Sequence, residues 1–248
     1  MIRFLRPFDP TRLRLLIFDL DGTLIDSRLD LIQSVNAALR HLGRPELEGD
    51  VIASYVGDGA PALMRRAVGE GSDENVFNAA LEFFLVYYRK HKLDHTTLYD
   101  GVKEVLAKLS QPASQPRADE GPGRADTDAT HRQMAVLSNK PVNPSRDILR
   151  ALGLSDYFFR IYGGNSFATK KPDPLGVHTL LDESGVRPDE ALMIGDSAVD
   201  VMTGRSAGLW TCGVSYGFAP QTLTEIPPDV LIERPRELGE IFEQIKLR

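Results

Sequence analysis

Cysteine is almost missing. Cys212 is the only one in 248 residues, so no intramolecular disulfide can form; the chain suits a reducing cytoplasm, with Cys212 expected as a small buried side chain. Histidine is also sparse, and His41, His91, His95, His131 and His178 form no short pair of the zinc-ligand kind. No apolar run approaches the length of a membrane span. The basic start MIRFLRPFDPTR is broken by charge and proline before it could build the apolar stretch of a signal peptide. Positive charge is in deficit: 29 Lys and Arg against 35 Asp and Glu leave a formal net charge of -6. That balance speaks against nucleic acid as the principal partner, since phosphate backbones are held by clustered Lys and Arg, while leaving room for a local pocket that binds a small anion.

What is present is an ordinary soluble composition, 42% hydrophobic and 26% charged, in a chain long enough for a large core with an inserted smaller domain. Leu13–Phe18 (LRLLIF) is short, branched and aromatic, and stops at a turn signal, as a strand covered on both faces would. Similar runs occur at Met134–Leu137, Phe159–Tyr162, Ala191–Ile194, Trp210–Val214 and Val230–Ile232. Helical patterns alternate with them at Val102–Leu109, Pro144–Leu152, Pro174–Ser184, Val199–Ala207 and Pro235–Lys246. Alternation of this kind predicts an α/β fold with a doubly wound, mostly parallel sheet.

The stretch between the first strand and Tyr99 offers helical spacing (Leu29, Ile32, Val35, Leu39, Leu42; then Leu63–Val68 and Glu74–Lys90) and no convincing strand. It predicts an inserted α-helical domain over residues 26–95, with residues 1–25 and 96–248 forming the core. The aromatic run Phe83, Phe84, Tyr87, Tyr88 reads as packing within that insert. Residues 111–132 are proline, glycine and alternating charge, and are expected as a mobile loop at the sheet end away from the strand C-termini.

Ligands of open parallel sheets bind beyond the C-terminal strand ends, and there the chain places its reactive side chains. The first strand ends in Asp19, Asp21 and Thr23, the second in Ser138, Asn139 and Lys140, and ALMI in Gly195, Asp196, Ser197 and then Asp200. Lys170, Lys171, Pro172, Asp173 and Pro174 lie between, just before a helix. Taken singly, each has a bland role: Asp19 as a turn residue, Ser138 and Asn139 as helix caps, Asp200 as a first-turn carboxylate favoured by the helix dipole. Lys140 and Lys170 read as surface charges.

Together, DLDGT at Asp19–Thr23, SNK at Ser138–Lys140, KPDP at Lys171–Pro174 and GDSAVD at Gly195–Asp200 resemble, in order, the four motifs of the haloacid dehalogenase (HAD) superfamily phosphatases. The likeness spans nearly the whole chain. Within the superfamily it is nearest to the phosphoglycolate phosphatases, through YVGDGAPALMRRA in the insert and YDGVKEVLAKL at the return to the core. The resemblance implies a Rossmann-like core, a helical cap in place of the insert, and Mg²⁺-dependent hydrolysis of a small phosphorylated metabolite, with no nucleic acid or membrane partner. Asp19 would be the nucleophile that carries an aspartyl-phosphate, and Asp21 the acid that protonates the leaving alcohol and then the base that activates water. Asp19 and Asp196, with the Asp21 main-chain carbonyl, would hold the metal through hard oxygen ligands. Lys171, Ser138 and Asn139 would bind the transferring phosphoryl group, and Asp200 would orient Lys171 or a metal-bound water. Asp19 and Asp21 could address one phosphate from the same face if the extended chain persisted through Asp21.

The cap candidates are Gly57, Asp58, Gly59 and Arg66. Backbone N–H groups at Gly57–Gly59 suit a substrate carboxylate, yet the charge of Asp58 would repel it. Arg66 either compensates for that charge or pairs on a helix surface. Three other functions share parts of the pattern. A haloacid dehalogenase needs no metal and typically lacks a carboxylate at the position of Asp21, a phosphomutase would differ in the cap, and a non-enzymatic receiver domain would carry no insert after strand one.

Overall fold

Every residue of Leu15–Phe18 is buried, and its four side chains divide between two clusters. Leu16 and Phe18 point to one face, packed with Val105 and Leu106, while Leu15 and Ile17 meet Val177 and Leu180 on the other. Alternation along an extended chain feeds both clusters, so a strand here is stable only between two helical layers. The computed structural model of the protein describes residues 1–7, 9–111 and 132–243.

Among the described residues the chain opens with β1 (Arg3–Phe4) and the central β2 (Leu15–Phe18), then a two-residue β3 (Ile25–Asp26). Four helices follow: α1 (Arg28–His41), α2 (Gly49–Ser54), α3 (Ala60–Val68) and α4 (Glu74–His91). Strand β4 (Thr97–Leu98) returns antiparallel to β3, and α5 (Val102–Leu109) covers the sheet. The remaining core runs β5 (Gln133–Leu137), α6 (Val142–Ala151), β6 (Arg160–Tyr162), α7 (Leu175–Ser184), β7 (Ala191–Gly195), α8 (Ala198–Ser206), β8 (Trp210–Val214), β9 (Val230–Ile232) and α9 (Pro235–Ile241).

The main sheet has the order β1-β9-β8-β7-β2-β5-β6, parallel except for β1 at one edge. Its register matters most. Phe18 lies opposite Val136 of β5 and Ile194 of β7, so the three central strands end level. Residues just beyond those positions therefore emerge at one edge of the sheet, where the chain order reverses across β2.

Helices α1 to α4 bury their own cluster, with Val35, Leu39, Ile52, Met64, Ala80 and Phe84 at its centre. This inserted helical cap joins the core through the β3–β4 ribbon, a pairing the sequence did not announce because each strand is only two residues long. Asp30 braces the same junction, accepting hydrogen bonds from the backbone N–H groups of His95 and Thr96. The helix expected from Pro144 begins at Val142, and α9 ends at Ile241 before the undescribed residues. The loop expectation for 111–132 falls almost wholly outside the described residues. No described helix is long and apolar enough to cross a membrane.

Candidate active site

Strand β2 ends at Phe18, and the Asp19 N–H still donates to the Ile194 carbonyl at 2.9 Å. The chain then folds on itself. The Leu20 carbonyl accepts from the N–H groups of Leu24 and Ile25, and Gly22 takes φ = +81°. A side chain at Gly22 would strike the Asp196 carboxylate at 2.3 Å, so both the turn and the close approach require glycine there. The extended form therefore stops at Leu20, and Asp19 and Asp21 take different partners.

Asp19 faces Lys171, with Oδ1 2.8 Å from Nζ, and Lys171 also donates to Asp200 Oδ1 at 2.6 Å. Asp200 is the third residue of α8. Its second oxygen accepts from the Ser197 N–H at 3.2 Å and hydroxyl at 2.8 Å, a capping box that starts the helix. Its two oxygens are thus divided between helix start and lysine.

Asp19, Asp196 and Asp200 each bring a carboxylate oxygen within 4.8 Å of the others. Burial, with Asp200 adding repulsion and Lys171 opposing it, pushes Asp19 up to about 6. Burial and the charges of Asp200 and Asp19 push Asp196 up to about 8, although the N–H groups of Phe218 and Ala219 donate to its Oδ2 at 2.5 and 3.2 Å. Asp19 Oδ1, despite its nearness to Lys171, is buried and accepts no aligned hydrogen bond. Crowded carboxylate oxygens of this kind fit a hard divalent cation.

The Asp21 carboxylate is not a member of this cluster. It accepts from the Ser27 hydroxyl at 2.5 Å, and Lys140 Nζ lies 3.1 Å from both of its oxygens. Lys140 is correspondingly not a surface charge: it is 6% exposed. Burial alone would lower its pKa, but the Asp21 carboxylate and the Tyr88 phenol together outweigh burial and raise it. On its other side Lys140 Nζ stands 4.6 Å from the ring centre of Tyr88 in α4. The sequence concealed this because that contact exists only with the cap folded over the strand end.

The other candidates separate cleanly. Ser138 is buried at the cavity wall, and its Oγ accepts the Lys140 N–H at 3.3 Å, leaving its own hydrogen to donate. Asn139 has no such freedom: its amide donates to the Gly57 and Lys171 carbonyls at 2.9 and 3.1 Å, and its Oδ1 accepts the Lys171 N–H at 3.0 Å. Both side-chain amide hydrogens are spent, so the Asn139 side chain braces the lysine loop against the cap and has no donor left for a phosphate. Helix α6 starts after Pro141, so neither residue caps it. Lys170 is exposed.

In the cap, Gly57 and Gly59 border the site, whereas Asp58 pairs with Arg66, whose guanidinium also donates to the Tyr55 carbonyl at 3.0 Å. Asp58 and Arg66 thus neutralise each other away from the cavity wall. Between cap and core lies a cavity of about 650 Å³ reaching Asp19, Asp21, Ser138, Lys171 and Asp196. Its cap wall includes Tyr88, Arg89 and Lys92 of α4 and its C-terminus, which the sequence did not single out. Their spacing with Phe84 and Leu85 follows one helical face, a periodic signal that could have been read.

Comparison with known proteins points to one family. A family profile described as haloacid dehalogenase-like hydrolase matches residues 13–208. A phosphoglycolate phosphatase of Chromobacterium violaceum is 36% identical over 230 residues, covering 91% of this chain and 95% of that one. Phosphoglycolate phosphatase 1 of Pseudomonas aeruginosa is 33% identical, covering 96% and 83%. The crystal structure of a predicted phosphoglycolate phosphatase from Haemophilus somnus superposes with a TM-score of 0.82 at 29% identity, covering 93% and 98%.

Proposed function

The chain belongs to the haloacid dehalogenase-like hydrolase family, and from that premise we propose that it is a Mg²⁺-dependent phosphatase acting on small phosphomonoesters, phosphoglycolate foremost. The observation that carries this reading is the division of labour between the two aspartates. Asp19 sits among Lys171, Asp196 and Asp200, while Asp21, two residues on, is held apart by Ser27 and Lys140. One carboxylate is placed to attack and the other to move protons.

Asp19 and Asp196 would hold Mg²⁺, with the Asp21 carbonyl as a further oxygen donor. Bound there, the cation would neutralise charge between an anionic nucleophile and an anionic ester. An Asp19 oxygen attacks phosphorus as the bond to the leaving oxygen breaks, and the electron pair of that bond goes to the departing alcohol. Asp21 in its protonated form delivers the proton that alcohol needs. Lys171 and the Ser138 hydroxyl offset charge on the phosphoryl oxygens, and Asp200 keeps the Lys171 ammonium aimed. Asp21, now ionised, takes a proton from water as the water oxygen attacks the aspartyl-phosphate, which releases inorganic phosphate and restores Asp19.

Phosphoglycolate is favoured by the names of the relatives and by the cationic cap wall. The test is a steady-state screen for phosphate release. Wild-type protein with Mg²⁺ is expected to hydrolyse small phosphomonoesters, and chelation or Asp19→Asn to lower turnover at least about 10³-fold. Undiminished activity in either case would overturn the mechanism, and transfer to a sugar phosphate in place of water would identify a mutase.

A further inference from the structure

The cations on the cavity wall do not share the same situation. Lys171 is bound to Asp19 and Asp200, and Lys140 to Asp21. Lys92 lies 3.4 Å from Asp147 of α6 and donates to the Arg89 carbonyl at 2.9 Å. The guanidinium of Arg89, on the same wall, makes no ion pair or hydrogen bond among the described residues. Tyr88, the preceding residue, adds no second free donor: it is only 5% exposed, and its hydroxyl is buried beside the Lys140 ammonium.

The helix that carries Arg89 lies near the chemistry. Lys140 Nζ is 3.1 Å from Asp21 and 4.6 Å from the Tyr88 ring, so α4 stands one side chain away from the acid. The cap loop is the weaker candidate: its central Asp58 carboxylate consumes the charge of Arg66, and neither side chain lines the cavity.

We infer that Arg89 forms the subsite for a carboxylate carried by the substrate, and so sets specificity from α4 instead of from the Gly57–Gly59 loop or Arg66. A planar guanidinium fork matches a carboxylate, and the phosphate at the other end of the molecule stays with Lys171 and Ser138. This assignment rests on the phosphatase reading above and specifies its substrate class.

The experiment compares kcat/KM for 2-phosphoglycolate and for ethyl phosphate, which has no carboxylate, in wild-type protein, Arg89→Gln, Arg89→Lys and Arg66→Gln. Wild-type protein should prefer phosphoglycolate. Arg89→Gln should reduce the ratio of the two values about 10- to 100-fold, chiefly through KM for phosphoglycolate, the loss expected for one charge-assisted contact. Arg89→Lys should restore part of the ratio, and Arg66→Gln should change it less than about threefold. Because each ratio is internal to one variant, partial misfolding cancels. A wild-type preference that survives Arg89→Gln, or that collapses with Arg66→Gln instead, overturns the subsite and leaves the substrate reading standing. No wild-type preference, with both esters hydrolysed, overturns both while leaving the phosphatase chemistry intact.

Discussion

The two buried lysines of the site make an instructive pair. Lys171 and Lys140 are 7% and 6% exposed, and each is paired with one of the two aspartates of DLDGT. Their surroundings differ. The ionic partners of Lys171, Asp19 and Asp200, both belong to the core, whereas Lys140 holds Asp21 on one side and the aromatic ring of a cap helix on the other. One lysine completes a rigid charge cluster, and the other spans the seam along which cap and core meet. The nucleophile is thus secured within a single packed unit, while the proton-handling group is secured by a contact that depends on where the cap sits.

The largest break in this symmetry should come from Lys171→Met. It leaves Asp19 and Asp200 buried without their cation, and removing one partner of a buried ion pair destabilises by about 3–5 kcal/mol. Urea unfolding of the metal-free protein should show that loss, and kcat should fall at least about 10²-fold. A metal-free Lys171→Met as stable as wild type would mean that the cluster is not held by this lysine.

The second effect concerns pH. Asp19 and Asp196 are raised in the folded state to about 6 and about 8, so folded protein binds more protons than unfolded protein between about pH 4 and pH 8. The stability they contribute is present below their unfolded value and lost as pH rises through the folded one. Metal-free protein should therefore melt at progressively lower temperature as pH rises across that window, and Mg²⁺ should raise the melting temperature more at pH 8 than at pH 5. A flat profile without metal would show that the acids are not crowded as described.

The smallest effect sharpens the comparison most. In a double-mutant cycle, Lys140→Met and Tyr88→Leu should couple by about 0.5–2 kcal/mol, as expected for a desolvated cation over a ring. Lys171→Met and Tyr88→Leu should be additive within about 0.5 kcal/mol. Equal coupling in both cycles would mean that the cap touches the two assemblies alike.

The legible part of the site was the part written locally. Asp19, Ser138, Lys171 and Asp196 each follow a strand or precede a helix, and a strand end is recognisable from a few neighbouring residues. Likewise the helical insert showed in its apolar spacing, because four helices must carry enough nonpolar surface to bury one another. Lys140 was illegible for the opposite reason. A lysine after a strand looks solvated, and only Asp21 below it and Tyr88 above it give the charge a reason to be buried. Asn139 misled in the same way, since the backbone groups that consume its amide are more than thirty residues distant in sequence. The choice left open for Arg66 closed once Asp58 was found beside it.

By itself, then, the sequence determined the chemistry available: carboxylates, a lysine and a hydroxyl at strand ends, on a parallel sheet interrupted by a helical insert. Strand propensity, apolar periodicity and turn residues are short-range properties, so they survive in the linear order. Only the tertiary structure decided which carboxylate faces which cation, and which cap side chain is left with a charge to share. Those outcomes depend on the level register of β2, β5 and β7 and on the closure of α4 over them. Desolvation and pairing act through space over a few ångströms, between groups that the chain itself holds far apart.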